Sequence, residues 1–155
     1  MTEELSRTSA LASRHIELGS GLEAALLFYG YDMTDEHTPW EVGLGFTVNP
    51  ASNFRGKNAV MASQGKQRFV AAGIAVNHND AIIGGETLRL NNEDVGVVNS
   101  PCWSHRLNKS LALVHLHPSA AKPGTQLDVV SDGFNGTATV EATPFYDPGK
   151  SRTHV

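Results

Sequence analysis

Two groups of side chains have residue types and spacing that could do chemistry. His115 and His117 are two residues apart, so in a strand both imidazoles lie on one face, as the first two ligands of a zinc or copper site would. Cys102 and His105 could pair a thiol with a base for nucleophilic catalysis. Either group needs further partners before it becomes an active centre.

Those further partners are missing from the sequence. No Cys, Asp or Glu stands at metal-ligand spacing from the two histidines, so we interpret them as part of an exposed strand face. His78 with Asp80 is interpreted in the same way. The segment 101–104 around Cys102 is interpreted as a loop, and the three-residue spacing gives no evidence of a lowered thiol pKa or of an oriented base. We therefore predict no catalytic residue and no metal ligand in this chain.

The elements that must position functional side chains differ on the two sides of Pro50. Apolar residues between Ser9 and Phe28 recur at three- and four-residue spacing, which predicts a helix. Gly19–Gly21 is predicted to interrupt it, because each glycine costs a helix about 1 kcal/mol relative to Ala, and a second helical turn is predicted over Leu22–Phe28. The next predicted elements are a loop over 32–39, a strand or irregular segment over 41–48, and a helix over 55–64 that Gly65 ends.

From Gln67 onward the pattern is of the β type. Short apolar runs alternate with turn residues, and Asn91 and Asn92 are predicted to form a hairpin turn. The predicted strands are 69–76, 87–90, 95–98, 110–117, 127–130 and 135–143. The expected fold class is α+β and β-rich, with a helical lead-in (residues 1–65), a small antiparallel barrel or jelly-roll-like domain of about six strands (66–147) and a tail (148–155).

Composition excludes several classes of function. The 155 residues carry a formal net charge of −4, and no run of Lys or Arg is longer than two, so we expect neither a nucleic-acid partner nor a membrane surface. The longest apolar run, Ala24–Tyr29, is far shorter than the ~20 residues of a membrane span. With one cysteine and no signal-peptide pattern, a cytoplasmic protein is expected.

Several motifs occur in a recognisable order along most of the chain. In this sequence they read LEA at 22–24, YGYDM at 29–33, TPWEVGLGF at 38–46, FRGK at 54–57, VGVVNSPCWS at 95–104, LNKSLALV at 107–114, PGT at 123–125 and PFY at 144–146. Together they resemble the C-terminal portion of the glycine-cleavage T-protein (aminomethyltransferase) family, which includes folate-dependent demethylases.

The resemblance implies a function that the chain cannot complete alone. It implies that the lead-in is the end of a folate-binding second domain, and that tetrahydrofolate is the cofactor, which receives a one-carbon unit from a methylated or aminomethyl donor. The family's catalytic acidic residue, and the glutamate that binds the pterin edge, lie in a region that this chain does not contain. The expected function is therefore the C-terminal part or a split subunit of a tetrahydrofolate-dependent methyl- or aminomethyltransferase, not catalytic by itself.

The resemblance also implies which residues contact folate. It places Tyr29, Tyr146 and Arg152 near the ligand. The alternative for Tyr29 is that its ring packs the helix end against the barrel, and for Arg152 that it lies in a solvated C-terminus. At Gly21 the family usually has an arginine that helps to hold folate, and glycine can neither pair with a carboxylate nor stack on a ring.

A second, non-enzymatic function remains open from the sequence. The chain could be a stand-alone barrel that serves as an interaction or structural module. In either case the missing half is expected to leave an apolar surface around Leu22, Leu26, Leu27 and Trp40. The expected partner is an N-terminal T-protein-like half, or a second copy of this chain in a homo-oligomer.

Overall fold

In the computed structural model, which describes residues 19–149 and 151, antiparallel strands close into a six-stranded barrel. Around the barrel the order is β1-β4-β3-β2-β5-β6, and β6 pairs again with β1. The predicted barrel behind a short helical start is confirmed. The strands are β1 (Val70–Val76), β2 (Thr87–Leu90), β3 (Glu93–Ser104), β4 (Lys109–Leu116), β5 (Gln126–Ser131) and β6 (Phe134–Glu141).

Two tight hairpins set the register of the barrel. Asn91 and Asn92 join β2 to β3 with φ angles of +54° and +67°, the left-handed region that Asn adopts more readily than most residues. Asp132 and Gly133 join β5 to β6, because Ser131 pairs directly with Phe134. Both turns lie where the sequence predicted them.

The barrel interior is filled by branched apolar side chains. On β4 the alternate residues Ala112, Val114 and Leu116 are each at most 1% exposed and point inward. They form one cluster of buried residues with side chains of the other strands and of two connecting segments: Ile74, Val76, Ile82, Leu88, Val98, Ala120, Leu127, Val129, Ala138 and Val140. Each fully buried side chain of this size contributes about 1.5–3 kcal/mol through removal from water.

The opposite face of β4 is buried too. Leu111 and Leu113 are 0% and 3% exposed, and they form a second cluster with Leu22 and Cys102. Phe145, which follows β6, packs on the same cluster. Since β4 is covered on both faces, its sequence reads as a continuous apolar run instead of alternating. The lead-in therefore packs on the outward faces of β1, β4 and β3, which we call the outer wall.

Two expectations for the start of the described chain are wrong. Residues 19–23 are helical, although Gly19–Gly21 was predicted to break the helix; residues before 19 lie outside the described part. The chain also leaves the helix at Ala24 instead of continuing to Phe28, and Ala25 has a φ of +56°. Burial of Leu22 on the outer wall outweighs the cost of the glycines in the helix.

The rest of the lead-in is mostly irregular. Of the two alternatives for residues 41–48, the irregular one is correct: turns are followed by a 3-10 helix over Gly45–Thr47. A short helix, α1, covers Lys57–Ala62 inside the range predicted for it. The indole N–H of Trp40 donates to the Val60 carbonyl at 2.9 Å and joins these two parts. Within residues 19–149, no helix has both the length and the apolar character that a membrane span requires.

Candidate functional site

Glu41 attaches the lead-in to the first residues of the barrel. Its carboxylate is 2% exposed and accepts hydrogen bonds from Nε and Nη2 of Arg68 at 2.8 and 3.1 Å, and from the backbone N–H groups of Thr38 and Arg68 at 2.9 and 3.1 Å. The Arg68 guanidinium is the main cause that lowers the pKa of Glu41 to about 2. The backbone carbonyl of Glu41 also accepts the Ala71 N–H at 2.6 Å, so Glu41 holds its loop on β1.

Asp32 and His115 attach a second part of the lead-in. The Asp32 carboxylate, 1% exposed, accepts the Phe28 N–H at 2.9 Å and closes the turn over 28–33. The Asp32 carbonyl accepts from Nε2 of His115 at 2.7 Å, while the His115 ring stacks on Phe69 with centroids 3.9 Å apart. Burial lowers the pKa of His115, and the neutral imidazole with its proton on Nε2 satisfies this network.

The predicted exposed face with His115 and His117 is therefore wrong. His115 is half-buried, because the lead-in turn covers it, and His117 lies beyond the end of β4. Nδ2 of Asn99 donates to the Tyr31 carbonyl at 3.0 Å and lies 3.4 Å from Nδ1 of His115. Within the described residues, no three His, Cys, Asp or Glu side chains come close enough to hold a metal ion.

The turn held by Asp32 presents two tyrosine rings to solvent. Tyr29 is 69% exposed and Tyr31 is 73% exposed. The backbone of Tyr29 forms an isolated β-bridge with Met33, so the ring projects from a turn that is fixed at its base. A ring this exposed does not pack the helix end against the barrel, which was the alternative considered for Tyr29.

Glu23 joins the end of the lead-in helix to β3 and to the segment after β6. Oε1 accepts from the Ser104 hydroxyl at 2.6 Å, and Oε2 lies 3.4 Å from Nε of Arg106. The Glu23 carbonyl accepts the Tyr146 N–H at 3.1 Å, and the Arg106 guanidinium lies over the Tyr146 ring at 4.3 Å. Tyr146 is thus fixed beside the helix end. Arg152 lies outside the described residues.

The structure also shows which side chains lie around Gly21 and the helix end. A Cβ on Gly21 would meet only the Phe28 ring, at 3.8 Å, so the backbone packing does not require glycine there. The cation that reaches this helix end is Arg106, which pairs with Glu23 two residues further on. The barrel therefore supplies a guanidinium to the helix end at Glu23.

Cys102 is a structural residue and not a nucleophile. The predicted loop over 101–104 is wrong, because β3 runs through Ser104 and Cys102 pairs with Leu111. Burial, and to a smaller extent the charge of Glu23, raises the pKa of the Cys102 thiol to about 11. A thiol of this kind stays protonated at neutral pH and packs like a small apolar side chain.

An apolar groove runs between the lead-in and the outer wall. Its volume is about 580 Å³, and none of its lining side chains is ionisable. Three large apolar side chains of the lining are exposed: Phe46 by 85%, Leu26 by 62% and Leu44 by 38%. The remaining lining includes Leu27 of the lead-in, Ala71 of β1 and Leu113 of β4.

The expected apolar surface is therefore displaced from its predicted position. Leu26 and Leu27 line the groove as expected. Leu22 is only 2% exposed, because it packs under the helix end against the outer wall. Trp40 is half-buried, and its ring lies against Gly45, where a Cβ would stand 2.5 Å from the indole. Phe46 and Leu44 expose the apolar area instead.

The sequence patterns did not identify the buried carboxylates Glu23, Asp32 and Glu41 as anchors. One signal was available: each stands among apolar or aromatic residues, where a solvated carboxylate is unusual. Their partners could not be found in this way, since Ser104 is 81 residues from Glu23 and Arg68 is 27 residues from Glu41. The tyrosine positions came from the motifs alone.

Comparison with known proteins shows which family this fold and sequence match. Residues 68–147 match the family described as the glycine cleavage T-protein C-terminal barrel domain. The chain is similar to the heme-dependent oxidative N-demethylase gamma subunit of Ectopseudomonas mendocina, with 31% identity over 84% of this chain and 37% of that protein. It is also similar to an aminomethyltransferase of Prochlorococcus marinus, with 35% identity over 83% of this chain and 35% of that protein.

A solved structure shows the same likeness. The glycine cleavage system aminomethyltransferase T from Bartonella henselae superimposes with a TM-score of 0.73 and 25% identity, over 80% of this chain and 36% of that one. The chain thus spans about a third of the length of these relatives. Because the alignments cover more of the chain than residues 68–147, they include part of the lead-in as well as the barrel.

Proposed function

Because the chain belongs to the glycine cleavage T-protein family and contains its C-terminal barrel domain, we propose that it is the C-terminal part or a split subunit of a tetrahydrofolate-dependent methyl- or aminomethyltransferase. The observation that carries the proposal is the match of barrel and lead-in to about a third of aminomethyltransferase length. In this proposal the chain closes a folate cavity, and it is not catalytic by itself. The division at residues 65/66 and the cytoplasmic location are parts of the same proposal.

The side chains present fit one part of a folate molecule. Tetrahydrofolate supplies the nitrogen that accepts the one-carbon unit. A flat pterin needs a stacking surface, and the exposed ring of Tyr29 on its fixed turn offers one. The pterin edge also needs a carboxylate that accepts two hydrogen bonds. Asp32, the carboxylate on this turn, is buried and accepts the Phe28 N–H, so the remaining portion of the family architecture must provide that group.

We propose that Tyr29, Tyr146 and Arg152 contact the folate. Support for Tyr29 is its exposure on a turn. The bond between the Asp32 carbonyl and His115 holds this turn to the barrel, which fixes the backbone that carries the ring before the ligand arrives. Support for Tyr146 is that Glu23 and Arg106 fix its backbone and ring at the helix end. Arg152 carries the charge that the anionic glutamate tail of folate requires.

Titration with 5-formyltetrahydrofolate, followed by calorimetry, tests these contacts. The chain is titrated alone and in the complex isolated from its source through a C-terminal tag. Tyr29→Ala is expected to raise Kd about tenfold through loss of stacking, and Arg152→Ala about threefold through loss of one exposed ion pair. Tyr31→Ala is the matched control, since Tyr31 is equally exposed on the same turn. Equal Kd values for the two tyrosine variants would remove Tyr29 from the site.

The interaction module remains the second candidate, because the apolar groove offers a surface for assembly without any ligand chemistry. The two functions differ in one measurement. A module binds its partner and contributes nothing to folate binding in the isolated complex, whereas a transferase part binds folate there in a Tyr29-dependent way. A complex that binds folate unchanged after Tyr29→Ala and Tyr146→Ala would leave the chain as a module.

A further inference from the structure

We propose that the apolar groove is the docking site for the N-terminal portion of the T-protein architecture, and that Phe46 is its central anchor. The inference rests on the proposed function, since it takes the chain to be one part of a larger assembly. It adds the surface through which the parts meet. The occupant is a polypeptide that presents apolar side chains and no charge.

The chemistry of the groove selects such an occupant. Its lining contains no ionisable side chain, so a charged ligand or an acidic peptide finds no counter-charge in it. Phe46 stands 85% exposed at the groove, with Leu26 and Leu44 beside it. Aromatic side chains, Phe among them, are enriched in the buried centre of protein interfaces.

The position of the groove indicates which polypeptide covers it. The groove is lined by Leu113 of the barrel and by Leu26 of the lead-in. It therefore exists only where both parts are present. The relatives align with both parts, yet this chain spans only about a third of their length. Because the matched domain is the C-terminal one, the additional length of the relatives lies mainly ahead of it, where the lead-in approaches the groove.

The chain offers a direct measurement of groove occupancy. Its single cysteine, Cys102, is buried and its pKa is raised to about 11, so it reacts slowly with a maleimide. Phe46→Cys therefore places one reactive thiol at the groove. Ile83→Cys is the matched control, since Ile83 is 92% exposed and does not line the groove. Leu26→Cys serves as a second groove position if loss of the Phe46 ring weakens docking.

Labelling rates are compared between the purified chain and the complex isolated from its source through a C-terminal tag, with the captured polypeptide identified by mass spectrometry. We expect the groove thiols to react at least about tenfold more slowly in the complex, because labelling then requires local opening, while the thiol at position 83 reacts at the same rate in both. The captured polypeptide is expected to carry the N-terminal T-protein portion, whether separate or continuous with this chain.

Each other outcome overturns the inference. Protection that grows with the concentration of the purified chain means that a second copy fills the groove. Protection of the purified chain that disappears when residues 2–18 are deleted means that its own N-terminus does. Equal labelling of positions 46 and 83 in the complex, or a chain that captures no T-protein portion, means that the groove is not this interface. None of these readouts uses folate, so docking can fail while Tyr29-dependent folate binding holds, and the reverse.

Discussion

The barrel and the lead-in are stabilised by different physics. The barrel is closed, its strands pair on both sides, and its interior consists of apolar side chains. The lead-in has little regular structure. The buried carboxylates of Glu23 and Glu41 and the backbone carbonyl of Asp32 attach it to the outer wall and to the start of β1. Burial is cooperative over the whole barrel, whereas each of these contacts acts at one point. The lead-in can therefore loosen while the barrel stays folded.

The largest effect on stability is expected from a substitution in the barrel interior. Leu116→Ala leaves a cavity at a 0%-exposed position of the interior cluster, and we expect the free energy of unfolding to fall by about 2–5 kcal/mol. Urea denaturation followed by fluorescence measures the change. Val97→Ala on the neighbouring strand is the control, since Val97 is 38% exposed. Similar losses for both variants would mean that the interior is not the main source of stability.

A smaller and local effect is expected at Glu41. Glu41→Gln removes the ion pair with Arg68 and weakens the hydrogen bonds to two backbone N–H groups, at a cost of about 1–3 kcal/mol. Hydrogen exchange should accelerate in residues 38–47 and stay unchanged in β4 and β6. Glu36→Gln is the control, because the Glu36 side chain is exposed. Uniform acceleration in the barrel would show that the two regions unfold together.

Lowering the pH should also loosen the lead-in while the barrel stays folded. The pKa of His115 is lowered in the folded state, so the unfolded chain binds the proton more readily and the stabilising contribution of the neutral ring is lost as pH falls below about 6.5. Glu41, whose pKa is lowered to about 2, contributes fully above pH 4.5 and loses this contribution between about pH 4.5 and 2. The lead-in should therefore loosen in two steps.

Hydrogen exchange of residues 28–33 between pH 7.5 and 5 measures the first step. His115→Phe retains an aromatic ring against Phe69 but cannot take up a proton, so the acceleration below pH 6.5 should disappear. The exposed His117 provides the control, and His117→Gln should keep the wild-type profile. Persistence of the step in His115→Phe would assign it to another group, with His37, whose ring lies 5.3 Å from that of His115, as the next to replace.

The smallest effect is expected at the groove. Phe46→Asp should change the free energy of unfolding of the isolated chain by less than about 0.5 kcal/mol, because the ring is already in solvent. Leu22→Asp, which buries a charge on the outer wall, should cost several kcal/mol. Thermal unfolding of the two variants distinguishes them. A large loss for Phe46→Asp would place its ring in the fold of the chain itself.

Local signals predicted most of the barrel from the sequence. The Asn91-Asn92 turn and the alternation around it specify a hairpin without any distant contact. The loop predicted over 101–104 is instead part of β3, although proline is normally excluded from the middle of a sheet. Here β2 pairs only with the first part of β3, so Pro101 lies in a stretch that pairs on one side with β4 and tolerates a missing N–H.

The attachments of the lead-in could not be predicted in this way. The helix over 19–23 forms because Leu22 meets Leu111, a partner far along the chain, and no local propensity reports that contact. The same holds for Asp32 and His115, which are 83 residues apart. The motifs located Tyr29 and Tyr146 by resemblance, but only the tertiary structure shows that one ring projects into solvent while the other lies under Arg106.

The bond between the Tyr146 N–H and the Glu23 carbonyl also has a consequence in time. A ribosome that adds 5–20 residues per second makes residue 146 roughly 6–25 s after residue 23. During this interval the lead-in cannot complete its attachment, because the outer wall on which Leu22 packs is not yet complete. The helix end at Glu23 is thus secured only after the barrel strands have been made, and until then it is open to capture by another polypeptide.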